Sequence, residues 1–366
     1  MSRVAREPVT DPAAHRDTGL SVGFAASYRR LVRMRAGLLV GFAVVTILSL
    51  LIDLSTGPSS LSLLRVIEGL VSPKALAVGE RVILWDVRLP YAMMAVFVGA
   101  SLGLAGAETQ TVLNNPLASP FTLGISWAAI LGATFAIVFD LSIFGVGQLI
   151  TLPLAAFVCA MAAGLVILML ANRFGSSTET IILFGIAFMF GASALISLLH
   201  FIASAEAVQQ SIVWSMGTLT RSTWQAVGIV AVSLAVALPW ALRSVWAMTL
   251  LRAGDEQAQG AGLNLHRLRL SALLRTSLLT GSAVAFVGAI GFVGLVAPHI
   301  ARLVLGEDHR FYLPGSAILG ALLLSLASIA SKLIVPGVLL PVGIVTSLVG
   351  IPVFVALIVA RRRGGS

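Results

Sequence analysis

The sequence holds one cysteine and two lysines in 366 residues. With Cys159 alone, no intrachain disulfide can form, and its apolar surroundings read as those of a buried structural thiol. Neither Lys74 nor Lys332 lies in a G-x-x-x-x-G-K-[ST] pattern, so the chain has no nucleotide-binding P-loop. The histidines are His15, His200, His266, His299 and His309, and no two have the spacing of a helix-borne metal pair. No metal site is therefore expected. Gly124-Ile-Ser-Trp127 lacks the second glycine of an intramembrane serine protease motif. With no catalytic constellation, the chain is not expected to be an enzyme, and a partner must supply energy or specificity. Charge is scarce as well: 11% of residues are charged, against about 25% in a soluble domain.

What the chain has in abundance is apolar length. It is 58% hydrophobic with a mean hydropathy of +1.00. This composition predicts an all-α polytopic membrane protein with room for roughly ten spans of about 20 residues. A sequence pI of 11.1 would suit a nucleic-acid partner, but the arginines cluster at span ends, as the positive-inside rule predicts. No nucleic acid is expected; the bilayer is the partner that composition names.

The N-terminus does not read as a cleavable signal, because residues 1–27 are polar and no A-x-A-like site follows the first apolar run. Residues 1–35 read as a cytosolic tail, disordered to about residue 25, and 36–366 as one transmembrane domain. Arg29, Arg30, Arg33 and Arg35 abut span 1 and place the N-terminus inside. The spans fall near 37–54, 89–109, 121–139, 149–170, 180–202, 224–245, 270–289, 291–302, 313–334 and 342–360. Both termini are then cytoplasmic. Residues 57–87 carry a short interfacial helix outside, built on Leu61, Leu63, Leu64, Ile67 and Leu70. Residues 204–223 form a second outside segment of amphipathic character. No internal repeat is evident.

Several features do not fit plain lipid-facing helix. Gly291, Gly294 and Pro298 break span 8, which also carries His299 and Arg302. Broken, polar helix at membrane depth persists only inside protein or against a cavity. This segment is expected buried between spans 7 and 9, supporting a pathway rather than forming its wall. His299 is expected to bond freed backbone groups. Gly99, Gly103 and Gly106 form a close-packing stripe on span 2. Glu108, near the inner end of span 2, either serves function or pairs with a nearby Arg, with the pairing favoured. The segment Leu251–Arg269 is the longest polar stretch after the tail, and the inside count makes it cytosolic.

Four segments, in order, resemble the FecCD family, the permease subunits of ATP-driven importers for ferric siderophores, haem and cobalamin. They are Arg88-Leu-Pro90 with Gly103-Leu-Ala-Gly106, Gln110 and Asn115-Pro-Leu-Ala118; Trp214-Ser-Met-Gly217 with Leu219; Ala253 to Asn264; and Gly291 to Arg302 with Asp308-His-Arg310, Leu313-Pro314 and Leu340-Pro-Val-Gly343. The match covers about residues 37–360.

The resemblance implies a type II ABC importer permease fold, like that of vitamin B12 permeases, with ten helices per subunit in the bacterial inner membrane. It implies a second permease subunit, identical or paralogous, two cytosolic ATPases and an extracytoplasmic substrate-binding protein. This chain would bind no cofactor; ATP and Mg would be used by the partner ATPase. Gly254, Asp255, Glu256, Ala258, Gly262 and Asn264 would form the coupling loop that seats in the ATPase. Arg88 and Lys332 would dock the binding protein, although a second Arg of that pattern is replaced by Tyr91. Trp214, Gly217, Asn115 and Pro116 would flank the pathway or its gates. The expected cargo is a ferric siderophore, with haem or cobalamin as alternatives. A reading from another class is an ion-gradient secondary transporter, which needs free carboxylates near the midplane.

Overall fold

The computed structural model describes residues 13–59, 61–141, 147–174, 177–335 and 337–363, and its regular elements are all helical. Apolar runs in lipid must satisfy every backbone group internally, and helices do so within one segment. The elements are α1 (Ala13–Ser55), α2 (Leu63–Val71), α3 (Val78–Val82), α4 (Leu89–Val112), α5 (Ile125–Val138), α6 (Gln148–Phe174), α7 (Thr178–Ile202) and α8 (Ala205–Ser215). They continue with α9 (Trp224–Arg243), α10 (Val245–Leu251), α11 (Asp255–Gly260), α12 (Leu265–Val287), α13 (Val293–Leu305), α14 (His309–Leu333) and α15 (Val342–Arg363). Seven of these are long and apolar enough to cross a membrane, and α5, α13 and the first part of α15 are shorter apolar helices. Together they fall on the ten expected spans.

Two boundaries differ from the sequence reading. The first span is continuous with much of the segment assigned to a tail, since α1 begins at Ala13; residues 1–12 lie outside the described residues. The helix α9 matches span 6, but α10 follows it at once where a loop was expected, with Ser244 as the C-cap of one and the N-cap of the next. The outside segment 57–87 forms α2 and α3, joined through a π-helical turn at Ile83–Arg88 that runs straight into α4.

The bundle is built around α4. Its span is 83% buried, whereas α1 is only 22% buried and presents an apolar face outward. The stripe of small residues explains the difference. A methyl at Gly99 would overlap the Gly320 carbonyl oxygen, and one at Gly103 would overlap that of Ser316, so α4 and α14 touch backbone to backbone. Gly106 makes the same approach to the Gly294 carbonyl on α13. α12 closes another side of α4, and α5, α6 and α7 form an outer layer joined to it through α12 and α5.

Buried polar groups tie these helices together. Glu108 on α4 and Arg275 on α12 are both fully buried. Arg275 Nε donates to Glu108 Oε1 at 2.7 Å, Nη2 lies 2.6 Å from the same oxygen, and the guanidinium sits 5.0 Å from the centre of the Trp240 ring. At the other end of the bundle Lys332 of α14 pairs with the buried carboxylate of Asp53 at the end of α1, at 2.8 Å. Ser328 Oγ donates to the same carboxylate at 2.8 Å.

Candidate functional site

Two regions collect the residues that depart from plain membrane helix. One is a cavity of about 610 Å³ between α5, α7, α8 and the starts of α13 and α15. The other is the corner where α11 meets the ends of α4, α12 and α14.

The cavity exists because three short helices converge on breaks in longer ones. Gly288 ends α12 with φ +76°, and Gly217 follows α8 with φ +73°, a region that favours glycine. Their backbones interlock: Thr218 N donates to Val287 O at 2.7 Å, and Gly343 N to Gly217 O at 3.0 Å. A methyl at Gly288 would meet the Trp214 carbonyl, and one at Gly217 the Ala289 carbonyl. Trp214 itself is buried beneath this junction at 2% exposure, not lodged at a membrane interface. Met216, Ala289, Gly291, Phe292 and Gly343 from the junction line the cavity. Phe292 caps α13 with φ +64°, which a side chain rarely adopts.

The opposite wall comes from the α4–α5 loop and from α5, α7 and α8. Ser119, Phe121, Thr122, Trp127, His200, Ser211 and Ser215 line it. His200 Nε2 lies 2.9 Å from Ser211 Oγ, which in turn lies 2.8 Å from Thr134 Oγ1. Among the described residues no Asp, Glu, Lys or Arg lines the cavity, and His200 is the one titratable residue of its lining. The surface is thus apolar and aromatic with scattered hydroxyls. Such a surface can hold a bulky, weakly charged solute by shape, and it offers no paired charges that would trap one.

Asn115 and Pro116 stand in the loop that leads into this wall. Asn115 Oδ1 accepts from Leu117 N at 2.9 Å, an Asx turn that shapes the approach to Ser119. Just before it, Asn114 takes φ +41°.

The broken segment Gly291–Arg302 sits differently from expectation. α13 packs on α14, α4 and α15; span 7 is not its main neighbour. Gly291, Phe292 and Leu295 also form part of the cavity wall. The reason is the Gly106–Gly294 contact, which pulls α13 onto α4. Pro298 is buried within α13 and His299 is half-buried. Arg302 Nη2 donates to Gln110 Oε1 at 3.2 Å and to Tyr312 Oη at 3.1 Å, linking α13, α4 and α14.

At the α11 corner the polar loop is compact. Gly254 precedes α11, Ala258 is fully buried, and Asn264 caps α12 by accepting from Arg267 N at 2.9 Å. Glu256 and Gly262 face outward. Asp255 takes a bidentate contact from Arg269 Nη2, at 2.8 and 3.0 Å. Nearby, Asp308 caps α14, accepting from Arg310 N at 3.1 Å and from the Arg310 guanidinium. Those bonds hold the Asp308 carboxyl below the usual carboxylate range.

Arg88 and Lys332 are placed side by side with Asp53, but not as surface charges. Arg88 is 5% exposed. Its Nη1 donates to Leu54 O at 2.8 Å and its Nη2 to Ser59 Oγ at 2.9 Å and to the Ser59 carbonyl. Lys332 is held by Asp53. Both cations therefore secure the α1–α2 connection to α4 and α14, and a docking contact through them would have to break these bonds.

Sequence reasoning missed Asp53, and in the cavity wall Thr122, Trp127, His200, Ser211 and Phe292. A faint signal existed for some: Ser211 and Ser215 fall one helical turn apart in the amphipathic segment.

The helical bundle thus joins a cavity whose described lining carries no Asp, Glu, Lys or Arg to a polar loop, a combination that suits a membrane transporter. A model of the FecCD transport family matches residues 45–360, and the chain belongs to that family of ABC transporter permeases. The haemin transport system permease of Yersinia pestis is 35% identical over 76% of this chain and 83% of its own length. The Fe(3+)-citrate import permease of Bacillus subtilis is 36% identical over 77% and 83%. Among solved structures, a transporter assigned to the metal-chelate ABC type, in an inward-facing conformation, superposes with a TM-score of 0.79 at 27% identity. It covers 89% of this chain and 99% of its own.

Proposed function

We propose that this chain is one permease subunit of an ATP-binding-cassette importer that carries a ferric siderophore into the bacterial cytoplasm. Two permeases enclose the pathway by alternating access, two ATPases bind at the α11 end, and a binding protein delivers cargo at the α8 end. ATP hydrolysis belongs to the partner. Both termini then face the cytoplasm, in keeping with Arg29, Arg30, Arg33 and Arg35 in the first half of α1 and the arginines 361–363 that end α15.

The observation that carries this reading is the cavity. Its lining of Phe121, Trp127, Phe292 and Ser/Thr hydroxyls suits a bulky chelate whose metal is already fully ligated. A bare cation would need carboxylates, and none lines it among the described residues. The likeness to iron-citrate and haemin permeases supports a metal chelate as cargo. Haem is the alternative within the same mechanism, followed by cobalamin. An ion-gradient transporter is disfavoured because the buried carboxylates Asp53 and Glu108 are each already held by a cation.

The test is uptake in a strain lacking this chain, with radiolabelled ferric siderophores, haem and cobalamin offered separately. Restoration of one ferric siderophore's uptake by the wild-type chain is expected. Restoration of cobalamin or haem uptake alone would overturn the cargo assignment.

A further inference from the structure

Asp255 is the one carboxylate of α11 with a buried partner. Arg269, on the first turns of α12, is 5% exposed and reaches in two directions. Its Nη2 holds both oxygens of Asp255 at 2.8 and 3.0 Å. Its Nε donates to the carbonyl of Val112, the last residue of α4, at 3.1 Å. One rigid guanidinium thus joins the exposed helix α11 to the end of the most buried helix in the bundle.

The residues after Val112 extend that link. Asn114 Oδ1 accepts from Arg252 Nη1 at 2.8 Å, and Arg252 also pairs with Glu307. Arg252 lies just before α11 and Arg269 just after it, so both strands that carry α11 grip the same α4–α5 corner. From that corner the chain passes through the Asn115 turn to Ser119, Phe121 and Thr122 in the cavity wall.

We propose that Arg269 is a positioning residue that transmits displacement of α11 to the α4–α5 corner, and so to the cavity wall. The inference rests on the ABC-importer reading above, which supplies the force on α11. A planar fork bonded at both ends is stiff. If α11 moves by about 2 Å, the scale of helix shifts in switching proteins, Val112 must follow or a buried guanidinium must give up its carboxylate. Ala258, fully buried on the inner face of α11, keeps the helix on its seat.

The experiment uses the full complex with its ATPase in nanodiscs, in a Cys159→Ser background, with two spin-label pairs. Gln259→Cys with Phe174→Cys reports α11; Leu117→Cys with Phe174→Cys reports the corner. In the otherwise wild-type chain both distances should shift by about 2 Å between the nucleotide-free and vanadate-trapped states. Arg269→Gln should keep the Gln259 shift and the binding of ATPase, and lose the Leu117 shift. Arg269→Lys keeps the charge against Asp255 but cannot also serve the Val112 carbonyl, and should lose it too. Should Arg269→Gln fail to assemble, Asp255→Ala, which removes both acceptor oxygens, makes the same cut from the other side. A full Leu117 shift in any of these variants overturns the relay. Absence of a Gln259 shift in the wild type overturns the ATPase reading instead, and the relay with it.

Discussion

Removing one member of the Glu108–Arg275 pair should destabilise the bundle far more than removing both. Both side chains have no exposure to their surroundings. Truncating one partner leaves an uncompensated buried charge, which costs about 3–5 kcal/mol. At about 1.4 kcal/mol per factor of ten, that is roughly a hundred- to several-thousand-fold in the unfolding equilibrium. Replacing the pair together by apolar residues of similar size is often neutral, or stabilising by about 1–4 kcal/mol, because two desolvation penalties vanish with the attraction. Here the second outcome is favoured by geometry: Glu108 Oε2 and Arg275 Nη1 have no hydrogen-bond partner in the protein, so the pair is incompletely satisfied. The assay is reversible unfolding in mixed detergent micelles, read by tryptophan fluorescence, for Glu108→Leu, Arg275→Met and the double variant. Each single should lose about 3 kcal/mol or more, and the double should recover most of it. Singles within about 1 kcal/mol of wild type, as for an exposed pair, would refute the reasoning, as would a double no better than the worse single.

Three further outcomes follow from the same contacts. Gly106→Leu should be worse than Gly294→Leu, since a methyl at Gly106 overlaps backbone whereas one at Gly294 comes to 3.0 Å of Leu102 O; each costs at least the 1–3 kcal/mol or so typical of overpacking, and detergent melting curves give the ranking. Arg88→Glu and Lys332→Glu should impair folding equally at low and high salt, because buried contacts escape screening; a defect confined to binding-protein capture and relieved by salt would contradict their internal role. Asp308→Ala should cost about 0.5–2 kcal/mol as a lost helix cap. Because the folded Asp308 carboxyl titrates below its ordinary value of 3.8, its contribution is present above that value and disappears as pH falls through the folded one. The difference between wild type and Asp308→Ala should therefore be flat from pH 7 to 5 and shrink only in stronger acid.

The helices were legible in the sequence because a span is a local signal, an apolar run closed by Arg, Pro or Gly. Even the odd members could be placed, since Gly291 and Pro298 mark α13 as firmly as hydropathy marks α4. The pairing of Glu108 with an arginine was legible as a need but not as an address, for Arg275 lies 167 residues away. The internal partners of Arg88 and Lys332 were hidden for a related reason. A cation at a span end reads as exposed, yet Asp53, 279 residues before Lys332 in sequence, closes the pair in space. The cavity was the least legible feature. Its walls are ordinary Ser, Thr, Phe and Trp residues whose meaning comes only from convergence, and the backbone interlock of Gly217, Gly288 and Gly343 that creates it leaves no side-chain pattern. The α11 loop was legible as a polar island, but its attachment through Arg269 was not, because the link to α4 goes to a backbone carbonyl.

We propose that a partner's ATP hydrolysis, not an ion gradient, drives this permease. The direct measurement is cargo uptake by liposomes holding the chain with its ATPase and binding protein, with ATP supplied at the ATPase side and ionophores collapsing every gradient. The account predicts that uptake of the ferric chelate continues with the gradients collapsed and stops when ATP is replaced by a non-hydrolysable analogue. Uptake that persists without hydrolysis and vanishes with the ionophores would contradict it.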